Sequence, residues 1–165
     1  MRSICLLLIA SVLFVSCKKD ETYPNEPIIS FKALYTIKDD SGLDDYGVIS
    51  LNFTDGDGNI GYKSEGQNEP IFDDPNSIYY RNFQVELYER KNGMWVLNSK
   101  SSDMGGRIPY LTPEGSNKAL NGEIKMNIDL PLSVSNDTIF YKVFIYDRTP
   151  TKSNVVQTPE IIINT

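Results

Sequence analysis

Apolar and polar residues alternate with a period of two in several short segments of the chain. In residues 122–130, Ile, Met, Ile and Leu alternate with Lys, Asn and Asp, and residues 48–53 and 83–88 show the same pattern. This period predicts β-strands with one face buried and the other in water. Residues 139–146 are apolar on both faces apart from Lys142, which is typical of a central strand covered on both sides.

Turn-forming residues separate seven predicted strands, and no segment has a convincing helical pattern. Asn92-Gly93 predicts a tight hairpin between the third and fourth strands. We therefore predict an all-β fold, an immunoglobulin-like antiparallel β-sandwich of about seven strands over residues 28–165. The strands are expected at residues 28–37, 48–53, 83–88, 94–97, 122–130, 139–146 and 160–164.

Two aromatic residues have expected places in such a sandwich. Trp95 is expected in the core rather than stacked on a sugar. Tyr141, near the start of the sixth strand, is a candidate for the tyrosine corner of these folds, in which the hydroxyl bonds to the backbone. A plain core tyrosine is the alternative for Tyr141.

The first 16 residues have the pattern of an export signal. Arg2 is followed by an apolar run from Ile4 to Val15, which is too short to span a bilayer comfortably but suits a secretory signal. Ser16-Cys17 resembles the lipobox of bacterial lipoproteins, in which cleavage precedes a cysteine that is then lipidated, although Phe14 departs from the usual residue. An ordinary secretory signal with an incidental cysteine is the alternative.

We therefore divide the chain into a lipoprotein signal peptide (1–16), a lipidated Cys17 with its linker (17–27) and a β-sandwich (28–165). Residues 18–21, Lys-Lys-Asp-Glu, resemble the export signal behind the lipidated cysteine of Bacteroidota surface lipoproteins. This resemblance implies attachment to the outer membrane by the N-terminal lipid, facing the medium. A solvated charge cluster on a tether is the alternative.

The composition argues against two classes of function. Lys and Arg total 16 against 22 Asp and Glu, for a net charge of −6, and no basic cluster is present, so no nucleic-acid partner is expected. The chain has no histidine, which removes the commonest general base and any Ser-His or Cys-His nucleophile pair. We therefore expect no catalytic activity.

The most distinctive motif is Asp-Gly-Asp-Gly-Asn-Ile-Gly at residues 55–61. Asp55, Asp57 and Asn59 have the spacing of the first ligands of an EF-hand. Ile60 and Gly66 stand where that loop needs its Gly and its bidentate Glu, so an EF-hand is rejected.

A different calcium site remains open, because the loops after the second and sixth strands emerge at the same end of an immunoglobulin-type sandwich. That end would bring Asp55, Asp57 and Asn59 near Asp147, and also near Ser153 and Asn154. The alternative is that Asp and Asn only cap turns while Arg148 pairs with a carboxylate across the loops.

Several short motifs resemble those of a group of small, uncharacterised Bacteroidota surface lipoproteins, and the resemblance covers most of the mature chain. It implies an immunoglobulin-like or fibronectin-III-like domain on a lipid anchor, with no known activity. The motifs lie at residues 55–61, 107–109, 122–124, 147–149, 153–154 and 158–159.

These patterns together indicate a lipid-anchored surface module that binds or assembles with a protein or glycan. Tyr79, Tyr80 and Tyr110 are the candidates for contact with a ligand, and calcium is the one candidate cofactor. A structural spacer or envelope-assembly lipoprotein is the alternative. A carboxylate-based glycan hydrolase is a weaker one, because Asp73 and Asp74 are adjacent in a long loop with no partner fixed opposite them.

Overall fold

Two antiparallel β-sheets form the fold in the computed structural model, which describes residues 22–99, 101–131 and 138–164. One sheet has the order β1-β2-β5, and the other has the order β4-β3-β6-β7 with β8 also paired to β6. The strands are β1 (Ile28–Lys38), β2 (Asp44–Asp55), β3 (Phe83–Lys91), β4 (Met94–Leu97), β5 (Leu120–Asp129), β6 (Thr138–Ile145), β7 (Val156–Gln157) and β8 (Ile161–Ile162). The predicted all-β sandwich is confirmed.

The helical content of these residues is a four-residue α1 (Pro70–Asp73) and a 3-10 turn at Ser101–Asp103, both in connections between strands. No helix in the described segments is long and apolar enough to cross a lipid bilayer. The predicted signal peptide, Cys17 and the Lys-Lys-Asp-Glu segment lie in residues 1–21, outside the described residues.

The core lies between the two sheets and is built by the alternation that the sequence shows. Inward side chains of β2 and β5 face those of β3 and β6. Each fully buried aliphatic or aromatic side chain contributes about 1.5–3 kcal/mol. The buried set includes Ile49, Leu51, Phe53, Phe83, Val85, Leu87, Ile124, Ile128, Ile139, Tyr141, Val143 and Ile145.

The outer face of β6 is covered by aromatic neighbours from its own sheet. Phe140 stacks on Tyr88 with 4.8 Å between ring centroids and meets Trp95 edge-on at 4.7 Å. The Nζ of Lys152 lies 3.6 Å from the ring centroid of Phe144. The expectation that Trp95 lies in the core is therefore wrong: Trp95 pairs with Arg90 of β3, and both side chains lie on the outer face of the sheet.

Tyr141 is a plain core residue. Its side chain is fully buried, but its hydroxyl has no hydrogen-bond partner in the part of the chain that the structure describes, whereas a tyrosine corner requires one. Burial also raises the pKa of this hydroxyl.

The last predicted strand, residues 160–164, is present but shorter, as β8, and β7 lies in the segment that was predicted to be a loop. Between them Thr158 accepts a hydrogen bond from the N–H of Tyr141 through its hydroxyl (3.0 Å), and Pro159 has no N–H to donate. The side chain of Thr158 thus takes the place of a backbone bond in the ladder.

Strand register gathers four segments at one end of the sandwich. Ile28 pairs with Thr54, Asp55 with Leu120, and Phe83 with Ile145, so β1, β3 and β5 begin where β2 and β6 end. We call this the loop end: residues 22–27, 56–82, 101–119 and 146–155. The segment that follows the predicted lipid anchor therefore enters the domain beside the long loops.

Candidate functional site

The acidic glycine motif forms a tight turn at the centre of the loop end. Asp55 ends β2 with its side chain fully buried, and one of its carboxylate oxygens accepts a 3.0 Å hydrogen bond from the N–H of Asn59. The carbonyl oxygens of Tyr23 and Pro24 occupy the space that a Cβ on Gly56 would take. Glycine is therefore required at residue 56, because the linker backbone packs directly on the turn.

The loops after β2 and β6 meet, as the sequence predicts. The N–H of Arg148 donates to the carbonyl oxygen of Asn59 (3.1 Å), and the Nδ2 of Asn59 donates to the Oγ1 of Thr149 (3.3 Å). The buried carboxylate of Asp147 accepts the N–H groups of Thr149 (2.8 Å) and Thr151 (2.7 Å). Asp147 thus shapes its own loop, and its oxygens are already engaged.

Ser153 and Asn154 do not join the acidic turn, contrary to expectation. The Oγ of Ser153 accepts the N–H of Ile145 (3.0 Å). Asn154 bonds to both the N–H and the carbonyl oxygen of Ile29, at 2.8 and 2.9 Å. Ser153 and Asn154 therefore connect their loop to β6 and β1, because their side chains form hydrogen bonds with the backbone of these two strands.

Arg148 locks the two loops through backbone carbonyls. Its guanidinium donates to the carbonyl oxygens of Ile60 (3.0 Å) and Gly61 (2.8 Å) and contacts the Oγ1 of Thr112. Within the described segments Arg148 forms no ion pair. The expected pairing of Arg148 with a carboxylate is therefore wrong, although the loops are indeed held together by this residue.

Within residues 22–99, 101–131 and 138–164, three buried oxygens of the acidic turn have no hydrogen-bond partner: Asp55 Oδ1, Asp57 Oδ1 and Asn59 Oδ1. Burial, together with the negative charges of Asp57 and Asp147, raises the pKa of Asp55 to about 6. In the part of the chain that the structure describes, no group of three His, Cys, Asp or Glu side chains is arranged to hold a metal ion. Any cation at this turn would therefore need the amide oxygen of Asn59 as well as carboxylates.

A cleft of about 240 Å³ opens beside Arg148. Tyr110, which is 43 % exposed, is its aromatic surface, and the charge of Arg148 lies 4.4 Å from the centroid of that ring. Aromatic, amide and charged groups thus line one concave surface. The lining residues are Lys63, Gln67, Asn68, Glu69, Phe72, Tyr110 and Arg148.

The other two candidate tyrosines do not line this cleft. Tyr79 meets Tyr146 edge-on at 5.0 Å, and its carbonyl oxygen accepts the hydroxyl of Tyr62 at 2.9 Å. Tyr80 packs beside Arg107, whose charge lies 4.8 Å from the ring centroid. Both tyrosines are partly buried, so the three candidates do not form one stacking surface.

Arg107 organises the loop before β3, a role that the residue patterns did not reveal. Its guanidinium donates to the carbonyl oxygens of Phe72 and Tyr80 and forms a 2.9 Å ion pair with Asp73. Against the opposing effect of burial, hydrogen bonds from Asn68, Gly66 and Arg107 lower the pKa of Asp73. The available signal was the Arg-Ile-Pro motif at residues 107–109.

Comparison of the chain with protein-family models, with curated proteins and with solved structures finds no significant match. Membership of the Bacteroidota surface-lipoprotein group therefore stays a prediction from the sequence motifs. The fold and the loop end are accordingly interpreted from their own geometry.

Proposed function

We propose that the protein is a lipid-anchored module of the outer-membrane surface that binds or assembles with a partner and catalyses no reaction. The observation that carries the proposal is the cleft beside Tyr110, at the same end of the sandwich as the linker from the predicted anchor. Residues 1–21 supply the predicted export signal, Cys17 and the surface-sorting segment.

The chemistry of the cleft suits a polar ligand with hydroxyl or carbonyl groups. Tyr110 is 43 % exposed, so part of its aromatic ring can contact a ligand, and Gln67 offers an amide group. Lys63 and Glu69 supply charges of both signs. A surface-protein segment or a glycan presents the matching groups.

The walls of the cleft are held in place before any ligand binds. Arg148 ties one wall to the turn at residues 55–61, and Arg107 ties the other wall to the loop before β3. A preorganised site loses less conformational entropy on binding, which favours recognition.

The position of the linker favours a partner that is reached at the membrane. Tyr23 is six positions after Cys17, a span of about 20 Å at full extension. A lipid on Cys17 would therefore keep the loop end close to the bilayer. This placement suits a component of a nutrient-uptake or adhesion complex better than a spacer, which needs no concave polar surface.

A glycan hydrolase receives less support from the same residues. A glycosidase needs two carboxyl groups facing each other across the sugar. Glu69 is the one carboxylate among the residues that line the cleft, and Asp73 is engaged by Arg107.

Site-specific photo-crosslinking tests the proposed binding surface. A photoreactive phenylalanine analogue replaces Tyr110 in the full chain in intact cells, and a matched variant carries it at Tyr35, which is 44 % exposed on β1. We expect a discrete crosslinked product from position 110 and none from position 35. No product from either position would favour the spacer, and equal products would contradict a specific surface at the loop end.

A further inference from the structure

We propose that the turn at the loop end binds one calcium ion through Asp55, Asp57 and Asn59, at the point where the linker packs on the sandwich. This inference goes beyond the proposed function and depends on no property of the partner.

Three buried acceptor atoms of the turn lack a hydrogen-bond partner among the residues that the structure describes. The Oδ1 atoms of Asp55, Asp57 and Asn59 are buried without a hydrogen-bond partner, and Asp55 as a whole is fully buried. Buried polar atoms in folded proteins almost always have a partner, so each exception requires an explanation. Three exceptions at alternate positions of one turn point to a shared ligand that accepts electron pairs.

The other polar atoms of these three side chains are already engaged in hydrogen bonds. The second oxygen of Asp55 accepts the N–H of Asn59, and the second oxygen of Asp57 accepts the Nδ2 of Asn59, both at 3.0 Å. The same Nδ2 donates to the Oγ1 of Thr149. These bonds fix the orientation of the Asn59 amide, so its carbonyl oxygen is left free together with one oxygen of each carboxylate.

The carboxylates of the turn also lack a counter-charge among the described residues. Among the residues that the structure describes, no ion pair involves Asp55, Asp57 or the neighbouring Asp147. Arg148 lies nearby, but its guanidinium donates to backbone carbonyls. A bound water molecule has two protons for three acceptors and brings no charge, whereas a cation meets both needs.

The chemistry of the donor set selects calcium. Carboxylate and amide oxygens are hard ligands, and calcium accepts them in irregular arrangements completed by backbone carbonyls or water, whereas magnesium demands a near-ideal octahedron. Zinc prefers nitrogen and sulfur ligands. The chain contains no histidine, and its two cysteines stand at positions 5 and 17.

The location gives the ion a structural consequence. Gly56 stands between Asp55 and Asp57 in the sequence. The carbonyl oxygen of Pro24 lies 2.7 Å from the position that a Cβ on Gly56 would take. Neutralising the turn would therefore stabilise the junction between the linker and the domain as well as the turn itself. Calcium would then fix how the domain sits on its tether.

Calorimetric titration and thermal unfolding of the mature lipoprotein in detergent, after chelator treatment, test the proposal. We expect one calcium ion per chain and a melting temperature that rises with calcium concentration, because a ligand that binds only the native state stabilises it. Asp57→Asn should weaken calcium binding at least about tenfold (1.4 kcal/mol per factor of ten). The control Asp45→Asn alters an exposed carboxylate at the opposite end of β2 and should bind like the wild type.

Asp55→Asn should abolish calcium binding. Asp55 is fully buried, and if the Asp55→Asn variant does not fold, the calcium affinity of Asp57→Asn tests the proposal. Absence of both heat and thermal shift at millimolar calcium would overturn the proposal, as would unchanged calcium affinity in Asp57→Asn. A larger thermal shift with magnesium than with calcium would overturn the assignment to calcium.

Discussion

Arg148, in the loop after β6, donates a 2.8 Å hydrogen bond to the carbonyl oxygen of Gly61, in the loop after β2. This contact joins the two sheets at the loop end, because β2 and β6 belong to different sheets. Arg148 also donates to the carbonyl oxygen of Ile60 and contacts Thr112, so three chain segments depend on one side chain.

Replacing Arg148 should therefore destabilise the fold. We expect Arg148→Ala to lower the free energy of unfolding by about 2 kcal/mol, because several carbonyls lose a charged donor. Arg148→Lys should recover only part of the loss. The ammonium group of lysine lacks the planar fork of donors with which the guanidinium reaches acceptors in different directions. Urea unfolding measures both variants, and an unchanged midpoint in Arg148→Ala would show that the lock is unimportant.

Gly61 should tolerate alanine much less well than Gly42. Both residues have φ +82, but a Cβ on Gly61 would overlap the carbonyl of Pro109, whereas nothing lies within 4 Å of one on Gly42. Gly42→Ala should cost about 1–2 kcal/mol for the left-handed backbone alone. Gly61→Ala should cost about 1–3 kcal/mol more because of overpacking. Equal losses in thermal unfolding would contradict the close approach of Pro109.

Two buried tyrosines should respond to phenylalanine with opposite signs. The hydroxyl of Tyr141 has no hydrogen-bond partner among the described residues, so Tyr141→Phe should leave stability unchanged or raise it by up to about 1 kcal/mol. The hydroxyl of Tyr62 donates to the carbonyl oxygen of Tyr79, so Tyr62→Phe should lose about 1 kcal/mol. Denaturant unfolding of the pair checks this, and a clear loss in Tyr141→Phe would reveal a partner for its hydroxyl.

Glu123 should make stability depend on acid pH. Hydrogen bonds from Lys32 and Ser50 lower the pKa of Glu123 from 4.5 to about 2 in the folded protein. The folded state therefore binds a proton at Glu123 less readily than the unfolded chain does. The contribution of Glu123 to the free energy of unfolding is present above pH 4.5 and is lost as pH falls towards 2.

Unfolding by urea between pH 7 and pH 2 measures this dependence. Glu123→Gln should flatten the slope between pH 4.5 and pH 2, while the exposed Glu65→Gln should keep the wild-type slope. A slope in Glu123→Gln equal to that of the wild type would contradict the assignment.

The strands could be predicted from the sequence because alternation reports burial directly. Residues 94–97 match β4, and the strand order places the loops after β2 and β6 together as expected. The face of Trp95 could not be predicted, since Met94-Trp95-Val96-Leu97 is apolar at every position and an edge strand gives no alternation to follow.

The contacts of the loop end were less predictable than its position. The charge of Arg148 suggested a carboxylate partner, but its guanidinium donates to backbone carbonyl oxygens instead. Every residue has a backbone carbonyl, so the sequence does not indicate which ones Arg148 contacts. The same holds for the linker, because only the folded chain shows the carbonyls of Tyr23 and Pro24 against Gly56. Asp and Gly spacing identified the turn but not what packs on it.

The proposed function depends most directly on a lipid at Cys17 that holds the loop end beside the membrane. Fluorescent labels at Ser116→Cys, in the loop end, and at Ser41→Cys, in the turn between β1 and β2 at the opposite end, report distance from the bilayer in the reconstituted lipoprotein. Energy transfer to an acceptor lipid should be stronger from position 116 than from position 41. It should disappear at both positions in Cys17→Ser. Equal transfer from the two positions, or membrane association that survives Cys17→Ser, would contradict the account.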